Sequence, residues 1–180
     1  MKRRSAFPAV IRSHHLPHAE AVSLEPIRSE LSPESERNFH TLLRLFATEI
    51  GPRPLGFGYS SMAGGGCWLL LASTQDTDEV IGYAAAATIE SYGHQVHGCI
   101  SELAVLSEYR RQGVAQSLIA GVRGVFASQP NLSMTQLAAI VPARRYKALD
   151  TFIIAGFEVV VQGDEYLFQL PLNHRAPAHC

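Results

Sequence analysis

The stretch "SELAVLSEYRRQGVAQSLIAGV", residues 101–122, decides the fold. It opens as a short apolar strand carrying one carboxylate, Glu102, and closes as an amphipathic helix. Between the two stand Arg110, Arg111, Gln112 and Gly113. A helix start leaves backbone N–H groups without intrahelical partners and carries about half a positive charge. Anions bind there without dedicated side chains. A glycine at that point has no Cβ to obstruct a close approach, and two arginines add charge-assisted donors at the mouth. The turn therefore has the chemistry of a phosphate or pyrophosphate cradle. It is neither the P-loop, which needs Gly-Lys-Ser/Thr, nor the dinucleotide G-x-G-x-x-G.

Working outward, the helix is expected from about Gly113 to Ala127, with Leu118, Ile119, Val122, Val125 and Phe126 on its apolar side. Upstream, "AVSLEPI" (residues 21–27) alternates weakly and reads as a first strand. Ser32-Pro33-Glu34 is a helix start, and Gly51-Pro52 a stop. The intervening helix carries a stripe of Phe39, Leu42, Leu43, Phe46 and Ile50. Residues 51–66 are dense in glycine and proline, a long loop of the kind that often forms a lid or binding segment. "CWLLLAST" and "EVIGYAAAATIES" are two strands split by a polar turn, and the loop "YGHQVHG" leads into "CISELAVL". "MTQLAAIV" is a further strand, "ARRYKALDTFIIAG" a further helix, and "FEVVVQG" with "EYLFQLPL" a closing hairpin. That order implies a mixed α/β sheet with helices on its faces.

The chain has 180 residues, which suits one domain with tails: residues 1–20 and 173–180 as tails around a domain at 21–172. With 47% apolar and 17% charged residues the composition is globular, and the net charge of -1 gives no global field for nucleic acid or anionic lipid. Cys67, Cys99 and Cys180 have neither disulfide-framework nor zinc spacing. His14, His15 and His18 cluster, but in a proline-bearing stretch without periodicity that reads as a solvated tail. No run of about 18 apolar residues is present, so a cytoplasmic location without a membrane span is expected.

The pattern Arg110-x-x-Gly113-x-Ala115, after the strand Glu102-Leu103-Ala104-Val105, resembles the acetyl-CoA motif of the GNAT superfamily N-acetyltransferases. Ala148, Phe152 and Gly156-Phe157 stand at the spacing of that family's next helix. The resemblance covers nearly the whole chain between the tails. It implies a mixed, mostly antiparallel sheet with helices on both faces, splayed between the fourth and fifth strands.

The same resemblance implies the site. Leu103, Ala104 and Val105 would present backbone groups to the pantetheine arm of acetyl-CoA, and Arg110, Arg111, Gln112, Gly113, Val114, Ala115 and Gln116 would surround its pyrophosphate. Glu102 is the candidate base that makes an acceptor amine neutral. Strand alternation is expected to put it on one face with Ile100 and Ala104, where desolvation would raise its pKa. Phe57, Tyr59, His94 and His97 fall in the loops that frame the acceptor in this family. The chain departs from the family at Phe152, where a tyrosine often protonates the departing thiolate, and at Arg145, where an asparagine is frequent. The expected activity is transfer of an acetyl group to a primary amine, of a small molecule in preference to a protein. The alternatives are a non-catalytic acyl-CoA-binding or sensor domain and, with little in its favour, a nucleic-acid-binding protein. The sequence leaves open whether the chain forms a homodimer.

Overall fold

The structure is a computed structural model and describes residues 9–16, 31–50, 67–90, 96–129, 136–161 and 165–172. Seven strands form one sheet: β1 (Ala9–Leu16), β2 (Cys67–Thr74), β3 (Val80–Glu90), β4 (Val96–Val105), β5 (Gln136–Pro142), β6 (Glu158–Val161) and β7 (Glu165–Pro171). The helices among the described residues are α1 (Pro33–Ile50), α2 (Val114–Ala127) and α3 (Tyr146–Ile154). The sheet order is β1-β2-β3-β4-β5-β7-β6, and every neighbouring pair is antiparallel except β4 with β5. This is the mixed, mostly antiparallel sheet expected.

Helices cover both faces because the central strands are apolar on both sides. All eight residues of β2 are buried, and β3 carries the run Ala84 to Ala87, whose small side chains let a helix settle on either surface. On one face Phe39 and Leu42 of α1 pack against Leu69, Leu71, Tyr83 and Ala85. On the other, Leu118, Ile119, Val122 and Phe126 of α2 join Trp68, Leu70, Ala84, Ile100 and Leu137, and Phe152 of α3 extends the same core over β5 and β7. The start of α1 is capped as the sequence suggested: Ser35 N–H donates to Ser32 Oγ at 3.2 Å.

Gly98 marks the tightest contact between α2 and the sheet. A Cβ there would lie 2.7 Å from the fully buried Phe126 ring and 3.1 Å from Leu137. Gly98→Ala is therefore expected to destabilise the chain by about 1–3 kcal/mol, the usual cost of overpacking a closed core. Thermal unfolding checks it; an unchanged melting temperature would mean that α2 can lift from β4 freely.

Two expectations need correction. The tail expected over residues 1–20 gives way, over Ala9–Leu16, to an edge strand paired along its whole length with β2. His14 and His15 therefore belong to a strand, with His14 half-buried. The strand expected at 21–27 and the tail at 173–180 lie outside the described residues. Second, Glu102 does not share a face with Ile100. Glu102 stands opposite Ala85 while Ile100 stands opposite Ala86, so Ser101 is an extra residue, a β-bulge. Ser101 Oγ donates to the Ala85 carbonyl at 3.2 Å across it. The insertion inverts the alternation, leaving Gly98 and Ile100 toward α2 while Glu102 and Ala104 turn toward α1.

Candidate active site

Among the described residues β4 and β5 pair only where Gly98, Cys99 and Ile100 face Leu137, Ala138 and Ala139. Both strands continue, β4 to Val105 and β5 to Pro142, without further pairing. The sheet is thus splayed between its fourth and fifth strands, and the edge of β4 from Ser101 onward borders the gap. Its other edge remains in the ladder, with Leu103, Ala104 and Val105 opposite Ala84, Tyr83 and Gly82.

Past Val105 the chain makes a short 3-10 turn, Ser107–Tyr109, before the residues that open α2. Arg110 Nε donates to the Val105 carbonyl at 3.0 Å, which ties the turn back onto the strand. Gln112 Nε2 donates to the Glu108 carbonyl at 2.7 Å. Arg111 has φ 60° and Gly113 φ 89°, two left-handed residues on either side of Gln112. Such alternation curls backbone N–H groups toward a common point, a shape that binds anions. Gly113 is the N-cap of α2 and no side chain caps the helix. The first helical bond runs from Ser117 N–H to the Gly113 carbonyl, so the N–H groups of Val114, Ala115 and Gln116 precede the helical ladder. Arg110 and Arg111 are exposed beside them. A diphosphate fits this donor set: unoffset N–H groups, a positive helix end and two cations. Residues 110–116, which the resemblance implies for the diphosphate, form this single turn and helix start.

Glu102 lies at the start of the gap and is 3% exposed. Its Oε2 accepts a hydrogen bond from the Tyr83 hydroxyl at 2.7 Å, and Tyr83 is fully buried. The Tyr83 ring meets Phe39 of α1 edge-on, with centroids 5.7 Å apart and planes at 89°. Burial first, then the Glu102 carboxylate, push the Tyr83 phenol well above its ordinary range, while Arg145 pulls it back. Tyr83 therefore stays a protonated phenol and donates to the Glu102 carboxylate. Arg145 ends the 3-10 turn between β5 and α3, across the gap from Glu102, and is half-buried. The sequence left its target open between a phosphate and solvent; the structure sets its charge near Tyr83.

Sequence reasoning missed Tyr83. One signal was available: a hydroxyl on the apolar strand β3, just ahead of its alanine run, needs a partner when buried.

The remaining candidates divide. His97 is half-buried within β4, not in a loop as expected, and lies five positions before Glu102, about 16 Å along the chain. Phe57, Tyr59 and His94 lie outside the described residues. Phe152 is 5% exposed, stacked on Phe168 at 5.4 Å and edge-on to Phe157 at 5.4 Å. Cys99 is buried, and that burial pushes its thiol up to about 11, so it is neutral in use. Among the described residues no cluster of metal-ligating side chains forms and no helix is long and apolar enough to cross a membrane.

A family model described as acetyltransferase (GNAT) family matches residues 29–146, which span α1, the splayed strands and the cradle. The chain belongs to the GNAT acetyltransferase family. No curated protein matches it significantly. Among solved structures this GNAT chain is similar to Arabidopsis thaliana NAA60 in complex with acetyl-CoA, at 20% identity and TM-score 0.58, over 91% of this chain and 99% of the other. It is also similar to the Escherichia coli GNAT N-acetyltransferase YhbS in complex with CoA, at 17% identity and TM-score 0.53, over 96% and 86%. A third is Arabidopsis thaliana Naa50 in complex with the bisubstrate analogue CoA-Ac-MVNAL, at 17% identity and TM-score 0.50, over 75% and 93%. At these identities the likeness is one of fold, and it covers three quarters or more of the GNAT chain.

Proposed function

We propose that this GNAT chain is an N-acetyltransferase that moves an acetyl group from acetyl-CoA to a primary amine of a small molecule or a protein. The observation that carries the proposal is a buried carboxylate, Glu102, at the point where β4 parts from β5, on the strand that leads directly into the Gly113 cradle. Acetyl-CoA, when bound, supplies an acyl group activated as a thioester. The chain's own residues do the rest. The N–H groups of Arg111 to Gln116 and the charges of Arg110 and Arg111 hold the diphosphate. The unpaired edge of Leu103, Ala104 and Val105 receives the extended arm as a strand receives a neighbour. Glu102 accepts a proton from the acceptor ammonium, leaving a neutral amine whose lone pair can attack. At 3% exposure it reaches that amine through an intervening water.

Phe152 has no proton to give and is locked in an aromatic stack. The thiolate leaves without a fixed acid, reasonable for a thiol of pKa about 8.5. The same observation favours a second reading, a non-catalytic acyl-CoA-binding domain that kept its cradle. Incubating the protein with acetyl-CoA and a panel of polyamines, amino acids, aminoglycosides and peptide N-termini, while following free thiol, separates the two. Transfer to at least one class is expected. Binding of CoA with no thiol release across all classes would favour the second reading.

A further inference from the structure

We propose that Tyr83 is a positioning residue for the reaction: its phenol O–H fixes the direction of the Glu102 carboxylate and holds it in the ionised form that a base needs. The inference rests on the reading of Glu102 as the base and adds to it the group that controls it. Tyr83 and Glu102 stand on neighbouring strands and on one face, Tyr83 opposite Ala104 and Glu102 opposite Ala85. That is the diagonal relation in which a long side chain spans to its neighbour. The 2.7 Å bond is the length of a charge-assisted O–H···O⁻ contact. The edge-on Phe39 ring packs against the Tyr83 ring and restricts its swing.

Packing alone does not account for the pair. A phenylalanine fills the same space, and burying a phenol with a carboxylate costs desolvation that an apolar pair avoids. The bulge at Ser101 is what brings them together; in an unbroken ladder Glu102 would face α2 and Tyr83 would face α1. Burial of Glu102 favours the neutral acid, and the hydrogen bond donated by Tyr83 favours the anion. The other groups packed on this face include Phe39 and Leu42 from α1, Leu69 and Leu71 from β2, and the titratable Cys67 and Tyr109. β5 carries no titratable side chain, and Arg145 beyond it adds a positive charge near Tyr83.

Tyr83→Phe in the full chain tests this with an amine from the panel that turns over. Without the hydroxyl the acidic limb of the kcat/KM profile is expected to move up by about one pH unit, the effect of one hydrogen bond to a carboxylate. CoA affinity, read by calorimetry, should not change. A lower rate with the acidic limb unmoved would mean that Tyr83 only fills space, and overturns the proposal while leaving Glu102 as base. Full turnover in Glu102→Gln would instead remove the base, and positioning with it. Should Tyr83→Phe not fold, infrared difference spectra of the wild-type chain, with Glu102→Gln as blank, give the answer without turnover. A tyrosine ring mode that titrates together with the Glu102 carboxyl band is expected; a tyrosine mode indifferent to that titration overturns the proposal.

Discussion

Glu102→Gln should lower kcat/KM for acetyl transfer by at least about a hundredfold, the low end of what a positioned general base contributes. The substitution is well suited to the site. Gln has the same shape, and its amide oxygen can still accept from the Tyr83 hydroxyl, so the buried hydrogen bond survives. What it loses is the ability to take a proton. The fold should therefore melt near the wild-type temperature, and CoA should bind unchanged, because the cradle lies beyond Val105 in a separate turn. Measured turnover close to wild type, with the same amine and at the same pH, would show that Glu102 is only a buried hydrogen-bond acceptor.

Gly113→Val should weaken CoA binding by at least about tenfold, the equivalent of about 1.4 kcal/mol. Two effects point the same way. At φ 89° a Cβ collides with the adjoining backbone, at a cost of about 1–2 kcal/mol and more for a β-branched residue. Relaxing that strain rotates the N–H groups that the alternation of Arg111 and Gly113 had gathered. The new methyl groups also occupy the space into which a diphosphate must come. α2 itself should persist, since its buried stripe of Val114, Leu118, Ile119, Val122 and Phe126 is untouched. Isothermal titration with CoA is the direct check, and an unaltered dissociation constant would move the diphosphate away from this turn.

Much of the architecture was readable because the deciding features are local. The strand, turn and helix of residues 101–122 fall where their periodicity puts them, with α2 at Val114–Ala127 against an expected start near Gly113. α1 keeps the Pro33 start and runs through Ile50, with the expected Gly51-Pro52 stop outside the described residues, and the closing hairpin is present as β6 and β7. The failures are non-local. Nothing in "CISELAVL" announces an extra residue at Ser101, because a bulge is defined by the partner strand and not by the strand that carries it. Alternation counted along β4 alone therefore assigned Glu102 to the face of Ile100. β1 was hidden for a related reason. At the sheet edge only one side of its backbone pairs, its Arg12 and Ser13 are exposed, and its mixed composition looks like a tail until β2 is laid beside it. Tyr83 was hidden beside an alanine run that reads as core. Its partner is nineteen residues away and is found only through the register of β3 with β4.

The brevity of the β4–β5 pairing has one more consequence. Among the described residues, three facing residues on each strand join β5, β7 and β6 to the other four strands, with the helices lending the rest of the seam. An extended guest lying in the slot becomes mortar between the two halves. Its departure removes part of the wall, so the chain's resistance to heat should track how much coenzyme surrounds it.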